Sequence, residues 1–512
     1  MKINKEIPHR IHRFKVRVLD IEAGKNIAIL NEEEATYNDI YISDRVSIKY
    51  KGKEVISIID TSETMVKKGD VAIYKDVAKQ LKVKDGDIVE IQHIPVPKSL
   101  EYIKKKMDRE SLTENEIYTI VKETVENRLS EGELASFIAA AYINGFGIGE
   151  TVSLAKAMVE TGTTLDLGVH PIADKHCIGG VAGNRTTMLI VPILAAAGVY
   201  IPKTSSRAIS SASGTADTFE VFAPVVLPIE ELRKVVLKTH GCIAWGGAIN
   251  LAPVDDKLIR IRNSLHLDPK GLLLASILGK KKAVGAEYLI VDIPVGRGAK
   301  VENETEGKLL ANDFLQISEQ LGIRTRCLIT DGSDPIGFGI GPGLECLEVL
   351  KALKMKDGEE LREKSCLMAG SILEMLGKAP VGKGAEYAFN IIKSGKAYEK
   401  FKEIIEAQGG NPNVKEDDIP IGHYRYAIKA EKGGRVSHVD NKYVNKIARV
   451  AGAPKDKGAG VILHCEMGDK VNPGDTLFEI VSESETKLSF AIEMANAIPP
   501  VELQKVIIDK IE

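Results

Sequence analysis

From about residue 169 to residue 423 the sequence alternates two periodicities, and this alternation restricts the possible folds more than any other feature. YLIVDIPVG and TRCLITDG are apolar runs with the length of buried strands, each ending in a glycine. KLLANDFLQISEQLG and GLECLEVLKALK have helical period, and MLIVPILAAAG reads as an apolar helix. Strands buried on both faces and separated by helices belong to a central, mostly parallel sheet, because parallel neighbours need crossover connections. The expected fold class is therefore multi-domain α/β.

The flanks follow other rules. Residues 1 to about 96 hold short β-rich pieces (RFKVRVLDI, NIAIL, VSIKY, DIVEIQ) separated by Gly, Asn and Asp turns, which predicts an N-terminal β-rich domain. Residues 97–168 change to helical period. Thr113 with Glu116, and Ser130 with Glu133, have the form of capping boxes. The segment 255–283 is again helical and is expected to rejoin this helical domain. The α/β phosphate-binding domain is then 169–254 with 284–423. From 424 to 512 the chain is strand-rich and glycine-punctuated, which predicts a C-terminal β-rich, barrel-sandwich-like module. It has no modifiable lysine at a hairpin tip between methionines. No fixed-period internal repeat is visible.

At 512 residues the chain is too long for one ordinary core. Only 5% of residues are aromatic and the net charge is −3, a poor match to a nucleic-acid binder. The six cysteines form no CxxC pair, which points away from a disulfide framework and towards a reducing, cytoplasmic setting. The N-terminus lacks an apolar leader, and no run of 18 apolar residues would span a membrane. No cluster with metal-ligand spacing is apparent, so no metal and no cofactor is expected.

Two loops carry the polar chemistry. Lys175–Thr187 (KHCIGGVAGNRTT) precedes the apolar helix. Its glycines let backbone N–H groups approach an anion, the helix N-terminus adds positive partial charge, and Lys175 adds a full one. The spacing is not that of a Walker A loop. Read alone, the segment fits an anion cradle and a glycine turn packing a helix on a strand equally well. Ser205–Asp217 (SSRAISSASGTAD) combines five serines, a threonine and an arginine. That density of hydroxyls around a guanidinium suits oxyanion recognition. The alternative is a Ser-rich linker, which the ordered apolar flanks disfavour.

A third element holds Arg262, Asp268, Ser276 and Lys280. Ser276 and Lys280 are i and i+4 and would share a helix face. Asp268 also reads as a helix N-cap before Pro269, and the lysines as a solvated face.

These motifs, in this order, resemble the thymidine phosphorylase superfamily, and most closely its archaeal branch, the AMP phosphorylases. The matching segments are Lys175–Gly183, Ser205–Glu220, Gly246–Asp256, Ser276–Gly285 and Asp292–Lys300, within a likeness covering roughly residues 97–512. The resemblance implies a phosphate site at Lys175, Gly180, Thr186, Ser205 and Thr215, and base contacts from Arg262, Ser276 and Lys280. It implies a helical and an α/β domain that close over substrate, and a dimer formed through the helical domain. The β-rich residues 1–96 match the extra domain of the archaeal branch, which could link dimers into larger assemblies.

The departures from the family pattern bear on substrate. Cys177 stands where the family has a phosphate-loop serine, Ser206 for a glycine, Ser211 for a histidine and Lys300 for an apolar residue. The last three add donors or charge near the ribose end, as a substrate 5′-phosphate requires. The second loop, Ser206, Arg207, Ala208, Ile209, Ser210 and Ser211, is accordingly expected to reach that phosphate together with Lys300. The expected reaction is phosphorolysis of AMP, and of other nucleoside 5′-monophosphates such as CMP and UMP, to free base and ribose 1,5-bisphosphate. Inorganic phosphate is co-substrate and Asp268 the proton donor to the leaving base. The alternatives are a thymidine or uridine phosphorylase, a magnesium-dependent phosphoribosyltransferase of the anthranilate type, and a non-catalytic assembly protein.

Overall fold

A computed structural model of the chain describes residues 11–249 and 251–504. Residues 1–10, most of the N-terminal segment MKINKEIPHRIHRFKV that reads as lacking an apolar leader, lie outside them. The chain divides into two compact units, residues 1–162 with 252–276, and residues 163–251 with 277–512.

The first unit opens with six strands: β1 (Ile11–Leu19), β2 (Ile27–Asn31), β3 (Arg45–Tyr50), β4 (Lys53–Ser62), β5 (Asp70–Tyr74) and β6 (Ile88–His93). They close into a barrel in the order β1-β5-β2-β4-β3-β6. Closure removes the unpaired edges that short strands would otherwise expose. Val46, Ile48, Ile59, Val71, Ile73, Val89 and Ile91 fill its core.

The barrel is a structural duplication, which corrects the expectation of no internal repeat. β1 pairs in parallel with β5 and antiparallel with β6. β4 pairs in parallel with β2 and antiparallel with β3. Ile27, Glu32 and Arg45 begin a strand, a helix and a strand, and Asp70, Lys75 and Ile88, each 43 positions on, begin their counterparts. Asp39 and Lys82 both adopt left-handed φ, at +57° and +58°. Asp44 accepts from Tyr41 N at 2.8 Å, and Asp87 from Lys84 N at 2.9 Å. Few side chains survive between the copies, among them Ala35/Ala78, Val46/Val89 and Ile48/Ile91. The constraint is a buried apolar position and a turn, which many residues satisfy.

Four helices follow: Ser99–Met107, Glu114–Val125, Glu131–Asn144 and Ile148–Glu160. Both expected capping boxes form, Thr113 with Glu116 and Ser130 with Glu133. The helix Pro253–Leu265 packs against Glu131–Asn144.

The second unit is built on β7 (Ala173–Cys177), β8 (Ile201–Ser205), β9 (Gly241–Trp245), β10 (Tyr288–Val295) and β11 (Arg324–Asp331). β10 lies between β11 and β7, parallel to both. β8 and β9 are parallel, and an Ile172–Tyr200 bridge joins the two groups in the same sense. The parallel sheet is thus as the periodicity predicts. The helix Thr187–Ala196 is buried along nearly its whole length, as its uninterrupted apolar sequence requires. Phe219, Phe222 and Phe401 meet edge to face or tilted beside it. The C-terminal module has two three-stranded antiparallel sheets, one of which gains a fourth strand from Gly339–Ile340, and two helices, Asn441–Val450 and Glu485–Ala497.

Candidate active site

The first loop leaves the C-terminal end of β7 and enters the buried helix Thr187–Ala196. Ligands in open parallel sheets bind outside the carboxyl ends of strands. Gly179, Gly180 and Gly183 all have positive φ, +86°, +100° and +67°. At Gly180 the need for glycine is steric as well, since a Cβ there would lie 2.6 Å from the Lys300 backbone nitrogen. The Lys300 side chain runs over the same turn, its Cε within 3.9 Å of a Cβ built on Gly179. The structure therefore brings Lys175, Gly180, Thr186 and Lys300 to one loop.

Behind that loop lies a buried charge network that the sequence reading missed. Lys175 Nζ donates to Thr186 Oγ1 (2.9 Å), which donates to Asn184 Oδ1 (3.0 Å). Asn184 Nδ2 donates to Asp292 Oδ2 at 3.3 Å, and Thr330 Oγ1 donates to Asp292 Oδ1 at 2.7 Å. Lys175 and Lys364 each stand 3.9 Å from the Asp292 carboxylate. Lys281 and Lys203 approach Asp174 at 2.7 and 3.4 Å. Four lysines thus share two aspartates. The Lys364 ammonium is buried and makes no hydrogen bond among the described residues. Such an excess of buried positive charge is costly unless an anion joins it.

The electrostatics follow. Burial alone would raise the Asp292 carboxyl, but Lys175, Lys364 and the Thr330 hydroxyl outweigh it and hold the group below its ordinary range. Burial, reinforced by Lys281 and Lys175 against the pull of Asp174, pushes Lys203 down to about 7. Burial, and then the charges of Lys281, Lys203, Lys175 and Lys300, pushes His176 well below the histidine range, so it is neutral. Burial raises the Cys177 thiol to about 12. Its sulfur accepts from Gly179 N (3.4 Å) and Asn184 Nδ2 (3.3 Å) and so braces the loop from within.

The second loop leaves the C-terminal end of β8, where Ser205 is in register with Trp245. Arg207 turns inward. Its guanidinium donates to Asp217 Oδ1 (3.1 Å) and Glu220 Oε2 (2.8 Å) and lies 5.1 Å from the Trp245 ring centroid. Asp217 accepts from Ala208 N at 2.6 Å, closing the loop base. Ser206, Ile209 and Ser210 are exposed, Ser211 Oγ donates to Ser213 O (3.0 Å), and Thr215 begins the next helix. Lys457 Nζ also reaches Glu220 at 2.9 Å, so Arg207 is one member of a loop-fixing ion cluster.

Arg262, Asp268 and Ser276 belong to the other unit. Arg262 forms an ion pair with Asp268. Ser276 Oγ donates to Asp255 Oδ2 at 2.7 Å, and Asp255 is fully buried. Lys280 lies one turn beyond Ser276 on the helix Lys270–Ala283. Of the residues missed, Asp292 had a readable signal, a carboxylate inside the apolar strand YLIVDIPVG. Lys203, Lys281 and Lys364 had none, being far apart in sequence, one on β8 and the others on the helices Lys270–Ala283 and Glu359–Met375, and meeting only in the fold.

No group of three His, Cys, Asp or Glu among the described residues could hold a metal ion, and no helix among them is long and apolar enough to cross a membrane.

Three family models match consecutive parts of the chain. They are the glycosyl transferase family helical bundle domain (residues 100–162), the glycosyl transferase family a/b domain (169–398) and the pyrimidine nucleoside phosphorylase C-terminal domain (435–500). Among solved structures, anthranilate phosphoribosyltransferase from Thermus thermophilus shares the fold at a TM-score of 0.52 and 20% identity, over 60% of this chain and 98% of that one. A protein of Pyrococcus furiosus named AMP phosphorylase is 46% identical over 98% of this chain and 99% of its own. Proteins with the same name from Thermococcus kodakarensis and Methanocaldococcus jannaschii are each 45% identical, over 98% and 97% of this chain and 99% of their own. With relatives this similar along essentially the whole length, barrel included, the chain belongs to the AMP phosphorylase family, within the glycosyl transferase enzymes that share these helical and α/β domains.

Proposed function

We propose that this enzyme phosphorolyses AMP, and also CMP and UMP, giving free base and ribose 1,5-bisphosphate. The observation that carries the reading is the surplus of lysines around the first loop. Lys175, Lys203, Lys281 and Lys364 share Asp174 and Asp292, and Lys300 adds a fifth cation over Gly179. That charge exceeds what one inorganic phosphate requires and suits two anions, the attacking phosphate and the substrate's own 5′-phosphate. The near-full-length likeness to proteins named AMP phosphorylase supports the same substrate.

In this reading Lys175, Gly180, Thr186, Ser205 and Thr215 hold the attacking phosphate. Its oxygen forms a bond to C1′ as the glycosidic bond to the base breaks. The electron pair leaves with the base, which takes a proton from Asp268. Arg262, Ser276 and Lys280 orient the base, and Lys300 with the second loop from Ser206 to Ser211 holds the 5′-phosphate. Asp268 is ion-paired with Arg262, so before it can act Arg262 must turn to the base and the released carboxylate must take up a proton from solvent, which it then passes to the leaving base. The reaction as proposed uses no metal, and a chelator should leave its rate unchanged. A homodimer in the cytoplasm, extended through the barrel into larger assemblies, completes the proposal, and light scattering would measure it.

The test is phosphate-dependent base release from AMP, CMP, UMP, adenosine, uridine and thymidine. Release from the monophosphates with little from nucleosides supports the reading. Preference for uridine or thymidine would replace it with a nucleoside phosphorylase, and no release at all would leave a non-catalytic role.

A further inference from the structure

One face of a C-terminal helix touches both anion loops. In the helix Asn441–Val450, positions 441, 445 and 449 recur every four residues and so line one side. Asn441, fully buried, accepts from Ala182 N of the first loop at 2.8 Å and donates to Gly332 O at 2.9 Å. Asn445 accepts from Ala212 N of the second loop at 2.8 Å and donates to Asn441 O at 2.8 Å. Arg449 Nη1 donates to Ile209 O (2.9 Å) and Ser211 O (3.1 Å), also in the second loop. Both loops therefore end on successive turns of one rigid element more than 230 residues away in sequence. Asp440 caps that helix through Lys442 N and Tyr443 N, at 2.8 and 2.9 Å, which fixes its start.

We propose that Asn441, Asn445 and Arg449 are positioning residues that set the two anion loops against each other, so that the C-terminal domain takes part in ligand binding without touching ligand. The roles divide along the helix. Asn441 serves the first loop and attacking phosphate, while Arg449 serves the second loop and the substrate 5′-phosphate. Asn445 serves the second loop and steadies Asn441. This division rests on the loop assignments proposed above. A hydrogen bond that holds a binding loop carries its effect into affinity, because a loop left loose must be ordered again by each ligand.

The experiment is calorimetric binding of inorganic phosphate and, separately, of AMP to the full-length wild type and to Arg449→Met, Arg449→Lys and Asn441→Ser. Arg449 is exposed, so its replacement leaves the core intact, and melting temperature reports folding in each case. Arg449→Met should weaken AMP about tenfold and phosphate less than about twofold, with melting unchanged, and Arg449→Lys should recover part of the loss. Asn441→Ser should show the opposite preference. Equal weakening of both ligands in every variant, or none in any, would overturn the positioning role. The reverse selectivity would keep the clamp and overturn the loop assignments. A wild type that binds neither ligand would overturn both.

Discussion

Arg262 and Asp268, six positions apart at the end of one helix and in the turn beyond it, form an ion pair. The guanidinium is largely buried and the carboxylate about half exposed. Each residue therefore restrains the other before any base is present. Asp268→Asn keeps the shape but loses both the charge and the proton. If Asp268 protonates the leaving base, kcat with AMP should fall about 10²–10⁴-fold while phosphate affinity is unchanged. A wild-type rate would remove Asp268 from the chemistry and leave it as the holder of Arg262. Arg262→Ala should instead raise KM for AMP more than it lowers kcat.

Lys364 offers a test in which stability and affinity move in opposite directions. Its ammonium is buried, makes no hydrogen bond among the described residues and stands 3.9 Å from Asp292. In the free enzyme such a charge costs free energy, so Lys364→Met should melt no lower than wild type. With phosphate bound the ammonium becomes an asset, and its loss should weaken phosphate by about tenfold or more. A variant that melts lower and binds phosphate normally would mean that Lys364 is a structural partner of Asp292.

Local signals were legible where short-range chemistry decides the structure. Thr113 and Ser130 cap as written, Gly180 sits where only glycine fits, and the apolar runs became buried parallel strands. The site's supporting residues were not legible, because nothing local marks them. Lys203 and Lys281 meet at Asp174 only after β8 and the helix Lys270–Ala283 are placed beside β7. Arg207, which reads as an oxyanion ligand from its serine-rich surroundings, is committed to Asp217 and Glu220. The barrel repeat was hidden for a different reason: its two copies keep burial and turn geometry at Asp39 and Lys82 while changing the residues.

Lys203 makes the site's pH behaviour predictable. Its folded value is pushed down to about 7, whereas in the unfolded chain it titrates near ~10.4. Between these values the unfolded chain binds more protons, so this group's contribution to stability rises with pH and is least favourable below 7. Anion binding runs the other way, since the charged ammonium attracts it. Sulfate, which does not itself titrate there, should bind most tightly below about pH 7 and weaken by up to about tenfold per pH unit above it. Lys203→Met should flatten the profile. A flat wild-type profile between about pH 6 and about pH 9 would rule Lys203 out of the anion site.

Lys300 separates nucleotide from nucleoside. Its backbone nitrogen sits against Gly180 and its side chain crosses the turn at Gly179, and the residue is exposed. An exposed lysine has little folding role, so Lys300→Ala should leave the melting temperature unchanged. If the ammonium meets the 5′-phosphate, kcat/KM for AMP should fall about thirtyfold, or about 2 kcal/mol of charge-assisted hydrogen bonding. The residual rate with adenosine should not change, because adenosine has no group for Lys300 to meet. Gly180→Ala supplies the contrast. There the φ of +100° and the 2.6 Å approach to backbone force the whole turn to move, so phosphate should be lost along with AMP. Equal losses with AMP and adenosine in Lys300→Ala would mean that Lys300 supports the turn, and the 5′-phosphate would then have to be sought on the second loop alone.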